Sequence, residues 1–243
     1  MAGSSRLEKL RFRLLVVDAL RAAKARYSYR ELSEATGVDA TLLARYVGGS
    51  MVPSYEHAVE IWRGLRRLLD PAREVLAALR RYGGLLDLTS VVTDPLMLRL
   101  IALEFLERFR GENITRILVP ETSGIPLAAA MALHFNARLV IARRRKENPL
   151  EEYIEGHIVE SPRVSRIFYV PRSSIGRRDN VLIVDDVVQT GYTLSVMEKI
   201  VEAAGARLAG VAAVVVIGEE WRRRLKARRV EALLSISGRP LIE

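Results

Sequence analysis

Asp185 and Asp186 stand side by side after an uninterrupted apolar run, Val181-Leu182-Ile183-Val184. They lead into Val187-Val188-Gln189-Thr190-Gly191-Tyr192-Thr193 and a helical stretch opening at Leu194. A run with no polar interruption reads as a central strand buried on both faces. The carboxyl end of such a strand is where open α/β sheets bind ligands. Gly191 permits a tight turn, Thr190 and Thr193 supply hydroxyls, and the loop's N–H groups converge at a helix N-terminus. That arrangement binds a phosphate dianion without a lysine. Two carboxylates beside an anion nest repel its occupant unless the target also carries hydroxyls or a divalent cation. A ribose 5-phosphate supplies the hydroxyls.

This strand, acidic pair and loop resemble the motif by which type I phosphoribosyltransferases bind 5-phosphoribosyl-1-pyrophosphate (PRPP). The resemblance implies that Asp185 and Asp186 hold the ribose 2′- and 3′-hydroxyls. It also implies that Val188, Gln189, Thr190, Gly191, Tyr192 and Thr193 wrap the 5′-phosphate. Pro120-Glu121-Thr122-Ser123-Gly124 follows an earlier apolar run and opens a helix, a second place for N–H groups to meet an anion. It resembles the family's pyrophosphate loop, through Glu121, Thr122, Ser123 and Gly124. Ala142-Arg143-Arg144-Arg145-Lys146 resembles the Arg-Lys pair that grips pyrophosphate, with Arg144 in place of the lysine; Arg143, Arg144 and Lys146 are its candidates. Taken alone, that cluster is a solvated basic turn.

By the same resemblance the reaction displaces pyrophosphate from C1 of PRPP by a ring nitrogen of a nucleobase, with Mg²⁺ as cofactor and Asp185, Asp186 and Arg143 as the catalytic set. The base is the nucleophile, so no side-chain nucleophile is needed. Residues 147–171 carry few helical signals and correspond to a mobile hood that excludes water, with Glu151, Glu152, Tyr153 and His157 as unranked candidates. The segment Val214 to Leu225 resembles the tail of purine-type members, such as xanthine phosphoribosyltransferases, in which an aromatic residue stacks on the base. Trp221 takes that place, although Gly218-Glu219 stands where Glu-Lys is usual. A surface-helix tryptophan is the alternative. A purine is expected, adenine ahead of 6-oxopurines.

These loops need a parallel sheet to hold them. Short apolar, β-branched runs occur at Arg116–Val119, Arg138–Ala142, Val181–Val184, Ala212–Ile217 and Ala232–Ile236. Helical stretches, including Pro126–Phe135 and Leu194–Ala204, lie between most of them. The alternation predicts an α/β fold with a parallel, Rossmann-like sheet. Arg166–Val170 alternates like a hairpin strand, and no element is assigned between Pro95 and Arg116.

The front of the chain is helical instead. Leu10, Leu14, Val17 and Leu20 mark one face of a first helix, and Ser28…Glu31 is a capping box. The helix it opens stops at Gly37. Asp39 caps a second helix, Ala40 to Val47, which ends at Gly48-Gly49, and Leu32, Ala35, Val38 and Leu43 bury the corner between them. This resembles a phage-repressor helix-turn-helix, continued by a helix from Tyr55 to Leu69. The resemblance places Ala40, Thr41, Arg45 and Tyr46 against DNA and Arg30 against a phosphate, with Thr41 and Arg45 as base readers. A purely helical packing or dimerisation domain is the other reading. A helix from Pro71 and a Gly83-Gly84 break lead to the sheet, so residues 1–86 form the helical domain and 87–243 the transferase domain.

The net charge is +9. Residues 1–86 hold 15 Lys and Arg against 9 Asp and Glu, and the remainder 23 against 20. The excess favours anionic partners. Zero cysteines exclude disulfides, thiolate metal sites and cysteine nucleophiles. No apolar run approaches a membrane span, and the N-terminus lacks a secretory pattern, so a cytoplasmic protein without membrane contact is expected. A homodimer is expected too. The combination of modules resembles archaeal transferase-like transcription regulators and the bacterial purine-operon repressor. The intact ribose-phosphate loop together with the basic cluster, which a pure sensor need not keep, makes an enzyme the first reading, and a PRPP- or nucleotide-responsive regulator the second.

Overall fold

The computed structural model describes residues 6–81, 88–161 and 164–237. Five helices come first: α1 (Arg6–Lys24), α2 (Tyr29–Thr36), α3 (Ala40–Gly48), α4 (Tyr55–Leu68) and α5 (Pro71–Arg81). The Ser28 hydroxyl accepts from Glu31 N–H while Glu31 reaches back to Ser28 N–H, so the capping box forms as read. Asp39 caps α3 through Thr41 and Leu42 N–H. The turn between the two helices is three residues, with Gly37 at its start. The Gly83-Gly84 break and the boundary between residues 86 and 87 lie outside the described residues.

Two readings of the helices change. Leu10 and Leu14 are 42% and 44% exposed, whereas the buried stripe of α1 is Phe12, Val16, Val17, Ala19, Leu20 and Ala23. The apolar content of that helix runs almost around it, so spacing alone selected the wrong edge. Beyond α6 (Thr89–Val92), a further helix, α7 (Pro95–Arg108), fills the stretch left unassigned. Leu96, Met97, Leu100, Ile101, Ala102, Leu103 and Phe105 are all buried, so it shows no amphipathic rhythm. Its start is nonetheless marked: Asp94 caps Leu96 and Met97 N–H, and Pro95 takes the first turn.

The sheet comprises β1 (Arg116–Pro120), β2 (Arg138–Ala142), β5 (Asn180–Val188), β6 (Arg207–Ile217) and β7 (Val230–Ile236), in the order β2-β1-β5-β6-β7. All four pairings are parallel. Helix α8 (Ile125–Phe135) links β1 to β2, and α9 (Tyr192–Ala203) links β5 to β6. A hairpin, β3 (Tyr153–Ser161) and β4 (Val164–Pro171), intervenes after β2. Alternate strand residues feed two cores. Ile117, Val119, Leu182 and Val184 join α7, α8 and the front helices, whereas Leu118, Val181 and Ile183 join α9 and the hairpin. The first core runs unbroken from Phe12 to the sheet. No described helix is long and apolar enough to cross a membrane.

Candidate active site

Strand β1 has β2 on one side, reached through α8, and β5 on the other. The chain therefore leaves the carboxyl ends of β1 and β5 in opposite directions, which opens a crevice between their loops. Asp185 and Asp186 lie inside β5, which runs four residues past the apolar run to Val188; Asp185 is paired in register with Ala213. Asp185 is 9% exposed and Asp186 half-buried. Asp186 N–H donates to Asp185 Oδ1 at 3.0 Å, and Val187 N–H to Asp186 Oδ1 at 3.0 Å. Burial, and then the neighbouring Asp186 charge, push the Asp185 carboxyl well above the usual carboxylate range. The crevice thus presents one accessible carboxylate backed by one that resists ionisation.

The loop after β5 is built from amides. Among the described residues, the backbone N–H groups of Gln189, Thr190, Gly191, Tyr192 and Thr193 find no protein acceptor. Gly191, at the N-cap of α9 with φ 78°, offers no side-chain cap to absorb them. On the outer side Arg224 donates to Thr190 O at 2.9 Å and to the Tyr192 hydroxyl at 3.1 Å. Its guanidinium lies 4.0 Å from the Tyr192 ring centroid, and Glu220 Oε1 accepts from it at 2.9 Å.

The second loop has a similar construction. Thr122, Ser123 and Gly124 N–H find no acceptor among the described residues, and Thr122 and Ser123 are exposed. Glu121 braces two strand ends instead of facing an anion: its N–H donates to Ala142 O at 3.0 Å, and its Oε2 accepts from Arg144 N–H at 3.0 Å. Gly124 lies against the Asp185–Asp186 backbone, so the two amide-rich loops meet at the acidic pair.

The basic segment turns toward the hairpin. Arg143 exchanges two backbone hydrogen bonds with Tyr169, at 3.0 and 2.7 Å, and its guanidinium pairs with Glu147 at 3.1 Å. Arg144 sits over the Phe168 ring at 5.9 Å. Lys146 pairs with Glu155 at 2.7 Å and covers the Tyr153 and Tyr169 rings at 5.7 and 5.2 Å. The hairpin differs from the free hood expected of it. Ile154, Ile158, Phe168 and Val170 are buried with Val196 and Ile200 of α9, so apolar burial seats both strands. Of the four hood candidates, Glu151 accepts from the Ser173 hydroxyl at 3.0 Å, and the Glu152 carbonyl accepts from Arg172 N–H at 2.9 Å. Tyr153 OH accepts from Asn148 N–H at 3.1 Å, and His157 is exposed beside Glu155 at 3.7 Å.

Trp221 also lies elsewhere than expected. It sits in a 3-10 turn, Glu220–Arg223, and is 5% exposed. Its indole N–H donates to Gly218 O at 3.0 Å, and the Arg222 guanidinium lies 4.7 Å from its ring centroid. In this arrangement the ring is packed into the second core, and its backbone abuts Gly191. The sequence reading overlooked Arg224, Glu220 and the buried Glu198, whose carboxylate accepts from Lys226 and Ala227 N–H at 2.9 and 2.8 Å. The four-residue spacing of Glu220 and Arg224 was the available signal for the first two.

On the front helices Thr41 and Arg45 are exposed. Tyr46 is not: it is 2% exposed, and its hydroxyl shares a 2.9 Å hydrogen bond with His57 Nδ1, so it cannot face DNA. Arg30 pairs with Glu34 at 2.9 Å. Among the described residues no group of three or more His, Asp or Glu could hold a metal ion.

Residues 89–233 match the family described as the phosphoribosyl transferase domain. Xanthine phosphoribosyltransferase of Bacillus cereus strain G9842 is 32% identical over 149 residues, 59% of this chain and 76% of that protein. Adenine phosphoribosyltransferase from Rhodothermus marinus superposes with TM-score 0.56 at 29% identity, covering 61% of this chain and 85% of the other. The Saccharomyces cerevisiae adenine phosphoribosyltransferase, complexed with an imino-altritol bisphosphate and adenine, gives 0.55 at 27%, with the same coverage.

Proposed function

The chain belongs to the phosphoribosyl transferase family and is a phosphoribosyltransferase; from that premise we propose that it joins a purine, adenine favoured, to PRPP. A purine ring nitrogen attacks C1 of the ribose, the C1–O bond to pyrophosphate breaks, and the base gives up its N–H proton. The products are a nucleoside monophosphate and pyrophosphate. The xanthine- and adenine-directed relatives support a purine.

The meeting of the two amide-rich loops at the acidic pair carries this reading. Gln189 to Thr193 N–H groups hold the 5′-phosphate, Thr122 to Gly124 N–H groups hold the diphosphate, and Asp186, backed by Asp185, orients the ribose hydroxyls. Arg143, Arg144 and Lys146 lie one strand end away. They meet the leaving group after exchanging their carboxylate and aromatic partners on and beside the hairpin. Mg²⁺ fits this donor set: it retains waters and binds mainly ligand phosphates, and the one accessible carboxylate, Asp186, suffices beside it. Bound there, it would neutralise charge on the leaving diphosphate. Protein mixed with PRPP, Mg²⁺ and adenine, hypoxanthine, guanine or xanthine in turn should release pyrophosphate with at least one of them. Silence with all four overturns the proposal.

The exposed Thr41 and Arg45, on the second helix of a capped helix–turn–helix, support a DNA-responsive role beside the enzymatic one. A homodimer in the cytoplasm would present two such helices about 34 Å apart, one turn of DNA. Binding to random and selected duplexes at moderate salt, with and without PRPP, tests it. Equal affinity for both in each condition ends it.

A further inference from the structure

Resting on the reading of the loop after β5 as a phosphate cradle, we infer that Arg224 is the positioning residue of that cradle, acting from behind it. Its guanidinium holds two points on the loop's outer side: Thr190 O at 2.9 Å and the Tyr192 hydroxyl at 3.1 Å, while stacked 4.0 Å from the Tyr192 ring. The Thr190–Gly191 peptide is trans, because the one cis bond among the described residues is Glu121–Thr122. In a trans peptide N–H and C=O point oppositely. A carbonyl drawn outward to Arg224 therefore turns the Gly191 N–H inward, and that amide has no protein acceptor among the described residues. Gly191 is itself clamped: a Cβ there would lie 3.0 Å from Trp221 Cα, and its φ is 78°.

The segment bearing Arg224 is also held at points other than Thr190 and Tyr192. Glu220 accepts from the guanidinium at 2.9 Å, Arg224 N–H donates to Trp221 O at 3.0 Å, and Glu198 of α9 accepts from Lys226 and Ala227 N–H. The mould is thus braced by contacts that need no phosphate, and it places a cation behind the anion. Lysine cannot reproduce the fork, since a single ammonium does not hold two acceptors in one plane.

Steady-state kinetics and ribose 5-phosphate calorimetry on Arg224→Ala and Arg224→Lys test this. We expect KM for PRPP to rise about thirtyfold in Arg224→Ala and about tenfold in Arg224→Lys, with kcat and the purine KM within about threefold of wild type. Ethylguanidine should restore part of the lost PRPP affinity of Arg224→Ala and none to Arg224→Lys. A folded Arg224→Ala with wild-type PRPP and ribose 5-phosphate affinity overturns the inference. So does an equal rise in both KM values. A wild-type protein that binds no ribose 5-phosphate instead removes the cradle reading itself. Should Arg224→Ala not fold, Tyr192→Phe removes one anchor alone. A rise of about threefold in PRPP KM supports the inference, and no change overturns it.

Discussion

Gly124 presses on Asp185: a Cβ on the glycine would stand 3.5 Å from Asp185 Cα, 3.4 Å from Asp186 N and 3.2 Å from Val119 Cγ2. Two loops from neighbouring strands meet here, where a methyl group would be tight against Val119 Cγ2 and in ordinary contact with the acidic pair's backbone. Gly124→Ala should push Val119 Cγ2, or the Thr122–Gly124 loop itself, aside by a few tenths of an ångström and so shift that loop relative to the acidic pair. We expect kcat/KM to fall about tenfold while stability drops by about 1–2 kcal/mol. Parallel kinetics and thermal melting check this; wild-type kcat/KM in a folded variant would show that the contact does not position the pair.

Asp185 is expected to cost stability in exchange for its place in the site. Its folded-state carboxyl holds its proton to higher pH than the unfolded chain, whose aspartates release theirs near pH 4. The folded state then binds more protons, so this group's contribution to stability is full below pH 4. It declines as pH rises from there toward the raised pKa. Asp185→Asn removes that decline. Its melting temperature should match wild type in acid and exceed it at neutral pH, by about 2–4 °C for each kcal/mol gained, while PRPP affinity falls. A melting temperature below wild type at neutral pH would contradict the argument.

Glu104, 5% exposed on α7, takes Arg66 of α4 at 2.9 Å and Arg108 at 2.9 Å. Glu104→Gln leaves two guanidiniums without their shared charge. Denaturant titration should register a loss of about 2–4 kcal/mol, with the purine KM unchanged. A loss under about 0.5 kcal/mol would mean that solvent reaches this pair freely.

Arg45→Ala and Tyr46→Phe should separate DNA reading from packing. Loss of an exposed base reader lowers affinity for a selected duplex by about 1–3 kcal/mol and leaves melting unaltered. Loss of the Tyr46 hydroxyl, partnered by His57 at 2.9 Å, should lower stability by about 1 kcal/mol and leave intrinsic DNA contacts alone. Fluorescence anisotropy and melting curves on both variants give the comparison, and identical behaviour of the two would refute the assignment.

The acidic pair, the glycine turn and the five sheet strands were legible because their signal is local: an apolar run, a change of residue type, a capped helix start. Asp39, Ser28 and Gly37 were legible for the same reason. Arg224 was not, because its role depends on a carbonyl 34 residues away in the chain. Trp221 was misread because an indole suits stacking and burial equally well, and only the Gly218 carbonyl and the Arg222 guanidinium decide between them. Helix α7 escaped because burial on every side erases periodicity. The hairpin's seating on α9 rests on contacts between strands and a helix far along the chain, which no spacing rule reports.

The core that runs unbroken from Phe12 to the sheet joins the front to the transferase domain through shared apolar burial. A version beginning at residue 88 would uncover the apolar face of α7 that α1 now shields, along with Arg110, which reaches Tyr55 OH at 3.2 Å. Such a fragment should scatter light and self-associate at micromolar concentration.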